Sequence, residues 1–303
     1  MKKCITAMLT LTALLLLFSC GEPAGTETAP PPSPCEEALA YIDSGEVEMA
    51  FYTLRELARA GDAEAQSALA DFRSGWLSRS ETSPGGGVTL TANSYDAGGN
   101  LTSSAVTYSD GRQHTCDYTY EGDTLLSELH TYQSEDTLTR TYAYDEAGRV
   151  LTLRGQFSAG SVYEYAYSYD GEGRLALEIY SDADGEHSRR EYTYTEGKLT
   201  REVCTYAVGE RDEIEYFWDK NGNLVKKCQT YTGGRSDTYT YTYDEAGNVT
   251  SELIEYSDGS SETLTHAYTY DTRGNMITET HTYPDGETKT VTYFDYRVFY
   301  KGE

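Results

Sequence analysis

Tyr243-Asp244-Glu245-Ala246-Gly247-Asn248-Val249 decides the fold, because the same pattern returns along most of the chain. It recurs as Tyr95-Asp96-Ala97-Gly98-Gly99-Asn100-Leu101, Tyr144-Asp145-Glu146-Ala147-Gly148-Arg149-Val150 and Tyr169-Asp170-Gly171-Glu172-Gly173-Arg174-Leu175. Further copies begin at Trp218 and Tyr270, degenerate ones at Tyr120 and Tyr194, and Tyr293-Phe294-Asp295-Tyr296 reads as a ninth copy broken off. The interval is about 25 residues, the length of one supersecondary unit. Asp at the turn start can accept from backbone N–H groups two residues on, and Gly supplies the left-handed residue that follows a type I turn and forms a bulge. The aromatic before Asp and the aliphatic after Asn or Arg flank the turn and can pack across the hairpin.

A second turn sits midway in each period, as in Tyr108-Ser109-Asp110-Gly111, Tyr256-Ser257-Asp258-Gly259 and Tyr283-Pro284-Asp285-Gly286. Two turns per period mean two strands per repeat. Eight full copies therefore predict a mainly β fold, an antiparallel meander of about sixteen strands and roughly 75 Å of sheet. Tyr239, Tyr241 and Tyr243 alternate with Thr238, Thr240 and Thr242, so one face is aromatic and the other polar. The chain has 29 Tyr against 7 Phe and 2 Trp, and tyrosine must carry much of the apolar burial. That composition predicts a curled or twisted sheet over residues 88–303. The aromatic stripe also offers flat amphipathic platforms for sugar rings or partner proteins.

These motifs resemble the YD repeat of the rearrangement-hotspot (Rhs) and wall-associated families, over about 210 residues. The resemblance implies a β-sheet shell built from tandem repeats. Full-length members carry many more repeats, a proteolytic core motif and a C-terminal toxin. None of these is read in this sequence.

Residues 1–19 read as a targeting segment: Lys2 and Lys3 precede an apolar run from Ile5 to Phe18 that is too short for a comfortable membrane span. Leu17-Phe18-Ser19-Cys20 resembles the lipobox of bacterial lipoprotein precursors. The resemblance implies cleavage before Cys20, acylation of that cysteine, and a lipid anchor in the bacterial cell envelope, outside the cytoplasm. Residues 20–34, with Pro30-Pro31-Pro32, read as an extended tether. Residues 35–80 read as helical, with apolar spacing of three and four and punctuation at Ser44-Gly45 and Gly61-Asp62. The stretch from Ala58 to Gly75 resembles tetratricopeptide-like repeats. A short helical segment of this kind is expected to cover the first edge of the sheet.

The formal charge is −26, and removal of residues 1–19 makes it two units more negative. Such a surface repels phosphate backbones, so nucleic acid is not an expected partner. Cys35, Cys116, Cys204 and Cys228 remain after Cys4 and Cys20 are set aside, without a CxxC pair. Cys204 and Cys228 fall on equivalent strands with one strand between them, about 9–10 Å apart, beyond disulfide reach. Catalytic, cofactor and metal motifs are not found, and no enzyme activity or cofactor is expected. His114, His130, His187, His266 and His281 read as scattered strand residues. The acidic turn Asp182-Ala183-Asp184-Gly185 lacks the calcium-loop pattern, and the sequons at Asn100 and Asn248 arise from the repeat itself. The reading is a non-catalytic, lipid-anchored scaffold or adhesin-like protein for an extracellular glycan or protein. The alternative is an accessory or relic of an Rhs-type toxin system.

Overall fold

The computed structural model describes residues 31–301. Cys20 and most of the tether lie outside the described residues. Three helices come first: α1 (Pro34–Asp43), α2 (Val47–Arg59) and α3 (Ala63–Ala68). Ser33 begins α1 in a reciprocal capping box with Glu36, and the Asp62 carboxylate caps α3 through the Glu64 and Ala65 N–H groups. Small residues let the helices cross closely. Cys35, Ala38, Ala50, Leu54 and Ala65 are fully buried together, with Phe72 at the edge of the cluster.

Eighteen strands follow. They are β1 (Phe72–Thr82), β2 (Val88–Tyr95), β3 (Leu101–Thr107), β4 (Gln113–Glu121), β5 (Thr124–Tyr132) and β6 (Thr137–Tyr144). Next come β7 (Val150–Phe157), β8 (Val162–Tyr169), β9 (Leu175–Asp182), β10 (Gly185–Thr195), β11 (Lys198–Tyr206) and β12 (Arg211–Trp218). The last are β13 (Leu224–Thr230), β14 (Ser236–Tyr243), β15 (Val249–Glu255), β16 (Ser261–Tyr270), β17 (Met276–Thr282) and β18 (Thr288–Tyr300).

Each strand pairs antiparallel with the next, and β18 pairs back onto β1 through ten registered residues from Phe72–Tyr300 to Thr82–Thr290. The expected curled sheet is therefore a closed up-and-down barrel, with eighteen strands rather than about sixteen. Two segments account for the difference. Phe72 to Ser80 lies within the stretch read as helical, yet forms most of β1 (Phe72–Thr82). The broken ninth copy is part of β18, where Asp295 takes φ 56° inside a strand instead of opening a turn. The first and last strands thus supply a ninth antiparallel pair, which closes the ring. β1 is paired on both sides, so the helices do not cover a sheet edge as expected. They pack instead on Val298 and Tyr300 at the end of β18.

The seven-residue motif folds as its chemistry requires. Asp244 Oδ1 accepts from the Ala246 and Asn248 N–H groups at 2.9 and 2.8 Å, while Oδ2 accepts from the Asn248 side-chain amide at 2.8 Å. Gly247 sits at φ 85°, and the ladder register shifts at Thr242/Tyr243, giving the expected bulge. Successive motifs are also tied to one another. The hydroxyls of Tyr144, Tyr169, Tyr194 and Tyr243, and the indole N–H of Trp218, each donate to a carbonyl nineteen residues earlier, where the preceding repeat leaves its turn. Arg149 and Arg174 stack on the motif tyrosines of the following repeats, Tyr169 and Tyr194, at 4.6 Å.

Cross-strand partners share a face, so the register assigns every side chain. The tyrosine face is the more enclosed one: along β4 and β16, residues on the Tyr118 or Tyr268 side are mostly half-buried or buried, while the Thr119 or Thr269 side is exposed. In a closed barrel the crowded face is the concave one, so the tyrosines line the lumen. Thr, Ser, Glu, Arg and Lys, such as Arg211, Glu213, Glu215 and Lys226, face outward. A membrane barrel needs an apolar outer band about 25 Å tall. This barrel carries its tyrosine rows on the inner face, while Phe217, opposite Lys226, is a ring on the outer one. Among the described residues no helix is long and apolar enough to cross a membrane.

Gly155 on β7 marks a close approach. A methyl group there would meet Tyr163 Cζ at 2.1 Å, and the Tyr163 hydroxyl is held by Arg140 Nε at 3.0 Å. Gly155→Ala is expected to displace the ring and lower stability by about 1–3 kcal/mol. Thermal unfolding checks this, and an unchanged melting point would show that the ring moves freely.

Candidate functional site: a tyrosine and glutamate lined lumen

A round barrel of eighteen strands is on the order of 35 Å across. Register brings a tyrosine and a glutamate side by side on the lumen face five times. The pairs are Tyr118–Glu128, Tyr167–Glu178, Tyr192–Glu202, Tyr241–Glu252 and Tyr268–Glu279. Each tyrosine stands two residues before a motif aromatic, so the pairs occupy equivalent places along their strands. Glu128 and Glu202 also accept from the next repeat, from the Tyr142 hydroxyl at 2.7 Å and the Tyr216 hydroxyl at 2.9 Å. Burial first, and then the neighbouring carboxylates, push Tyr142, Tyr216 and Tyr241 well above the ordinary phenol value and Tyr167 up to about 12, while burial followed by the contact with Cys116 pushes Tyr118 up as well. These hydroxyls therefore stay protonated donors at neutral pH. The densest aromatic group is Tyr163, Tyr165, Tyr167 and Tyr180, where Tyr165 and Tyr180 lie 4.9 Å apart.

One stretch of this wall gathers four donor-bearing side chains. His114 and Cys116 alternate on β4, Glu128 and His130 on β5, and Cys116 is registered opposite His130. His130 Nε2 lies 2.9 Å from Glu128 Oε2 and 3.6 Å from Cys116 Sγ. His130 Nδ1 lies 3.1 Å from His114 Nε2, and the His114 ring stacks on Tyr132 at 4.8 Å. Arg140 Nη1 approaches Glu128 Oε2 at 3.3 Å. Burial pushes the Cys116 thiol up. Burial, followed by the charges of His130 and Arg140, pulls His114 down. Burial works to raise Glu128 too, but hydrogen bonds from His130 and Tyr142 and the charge of Arg140 win and hold it below its usual value. A related group stands at the same place in another repeat: His266 opposite His281, with Nδ1 atoms 2.6 Å apart, and Glu279 at 3.2 Å from His281 Nε2.

Four of the five histidines read as scattered are thus brought together in two pairs, His114–His130 and His266–His281. His-x-Cys at 114–116 and Glu-x-His at 128–130 were the available signal, since alternate residues share a strand face. The acidic turn is satisfied internally, because Asp182 Oδ1 takes the Asp184 N–H at 2.8 Å and lies 2.6 Å from His187 Nε2. The Asn100 amide is committed to Asp96 Oδ2 at 2.7 Å, and Asn100 is buried. Cys204 faces the lumen and Cys228 the outside, on strands separated by β12. A cleft of about 1040 Å³ lies elsewhere, between α1, the turn at Ala97-Gly98 and the end of β18.

A family model described as "Uncharacterised protein" matches residues 60–221, and the RHS Repeat model matches residues 218–261. No curated protein matches the chain. Among solved structures, a porin-like protein from Bacteroides uniformis is similar at 16% identity, covering 72% of this chain and 95% of that one, with a TM-score of 0.42. A porin-like protein from Bacteroides vulgatus is similar at 12% identity over 72% of this chain and 97% of its own, with a TM-score of 0.37. The TcdB2–TccC3 structure is similar at 16% identity over 68% of this chain but only 14% of its own, with a TM-score of 0.26. At these TM-scores none of the three carries a fold or a function over to this chain.

Proposed function

We propose, for a chain that belongs to the family matched over residues 60–221 and carries an RHS repeat at 218–261, a non-catalytic binding role for the barrel lumen. Cys20 would hold it by lipid to the bacterial envelope, outside the cytoplasm. The observation that supports this reading is the repeated pairing of inward tyrosines with glutamates. Tyrosine rings give flat apolar area at low entropic cost, and carboxylates accept from hydroxyl and amino groups. An extracellular glycan presents both apolar ring faces and such donors. An extended protein segment is the other occupant with that chemistry.

The test is a glycan array with the full chain, followed by calorimetry on any hit. Tyr165→Ala with Tyr180→Ala is expected to weaken binding at least tenfold while the barrel still melts cooperatively. A blank array together with a blank pull-down would sink the proposal. The RHS repeat at 218–261 favours a second reading, an accessory of an Rhs-type toxin system, and co-purification of a toxin polypeptide from the native cell would select it.

A further inference from the structure

The Cys116, Glu128 and His130 side chains offer a thiol, a carboxylate and an imidazole whose ligand atoms all lie within 4.8 Å of one another. That donor set suits zinc-like transition metals and not calcium or magnesium, which take oxygen alone. The spacing fits as well. A thiolate and an imidazole on one tetrahedral zinc stand about 3.6 Å apart, given Zn–S near 2.3 Å and Zn–N near 2.05 Å. Cys116 Sγ and His130 Nε2 are 3.6 Å apart. Cys116 is almost wholly buried on the same wall as the other two ligands.

We infer that these three residues bind one zinc-type divalent metal on the lumen wall, with His114 as a positioning residue. The metal takes the place of the proton that His130 Nε2 shares with Glu128, and the Cys116 thiol proton passes to solvent. For Nε2 to ligate, Nδ1 must carry the hydrogen and donate it. His114 Nε2, 3.1 Å away, is the acceptor, and its own ring is fixed by stacking on Tyr132. Tyr142 holds the other Glu128 oxygen. Arg140 is the adverse neighbour, one positive charge against two from thiolate and carboxylate. The fourth position opens to the lumen and suits water.

The experiment is a cobalt(II) titration of the reduced full chain, read at the thiolate-to-cobalt charge-transfer band. The wild type is expected to develop the band, and zinc to abolish it by displacement. Cys116→Ser and His130→Gln should remove it, whereas Cys228→Ser, on the outer face, should leave it unchanged. His114→Gln should keep the band but weaken affinity by about 10–100-fold, the range for outer partners of a metal ligand. X-ray absorption of the zinc-loaded wild type needs no variant and should show one sulfur at about 2.3 Å with nitrogen or oxygen neighbours. A wild type without the band, a band that survives Cys116→Ser, or a zinc shell without sulfur each overturns the site.

Discussion

Ending the chain at Thr282 is expected to turn a discrete species into large assemblies. The truncation removes β18, which is registered with β1 over ten residues and with β17 over five. Two long edges are then exposed, each a row of unpaired N–H and C=O groups able to recruit another chain. Val291, buried at 5% exposure, goes with it, as do Val298 and Tyr300 beneath the helices. Full burial of such a side chain is worth about 1.5–3 kcal/mol, and one or two kcal/mol is already a large fraction of an ordinary domain's stability. Deleting residues 31–71 is the matched control. It removes the helices but leaves the seam whole, so a discrete species should persist. Light scattering after size exclusion reads both. A truncated chain that elutes as a discrete species with a cooperative melt would mean that the ring does not need closing.

Acid should unfold the barrel in one steep step. Asp145, Asp170, Asp219 and Asp244 are held below the ordinary 3.8, chiefly by hydrogen bonds from the residue that closes each turn. In Asp96 and Asp271 partial burial opposes the shift, and the bonds from Asn100 and Asn275 prevail. A folded-state value below the unfolded one adds stability that is fully present above the unfolded value and is lost as pH falls through the folded one. The window therefore lies below 3.8, and six turns reach it together. Circular dichroism against pH should be flat down to that region and then fall sharply. Asp244→Asn should shift the midpoint only slightly, because five turns remain. A broad loss beginning near neutrality would count against the turns as the acid-sensitive element.

Much of this architecture is legible in the sequence because it is local. Asp, Gly and the residue after Gly write the turn within five positions, and alternation of Tyr with Thr writes the faces. Closure is not local. It depends on whether strand number, twist and register bring β18 back to β1, and neither segment bears the full motif. Phe72–Thr82 follows directly on helices and has no YD signature, so its strand character comes from its partners on both sides. The His114–Cys116–Glu128–His130 group fails to stand out for a related reason. Its two strands are joined by a degenerate copy, Tyr120-Glu121-Gly122-Asp123, whose short turn sets the register that places Cys116 opposite His130. The lipid-anchor expectation for Cys20 belongs to residues outside those described.

The union of first and last strands constrains how such a gene can change length. Gain of one whole repeat inserts two strands and keeps the seam antiparallel, widening the circumference by about 10 Å and the bore by roughly 3 Å. Gain of a half repeat leaves an odd strand, and the two ends then meet in the wrong direction. Duplication and loss in even steps therefore preserve the antiparallel seam, and the ring's diameter becomes a heritable quantity with discrete values.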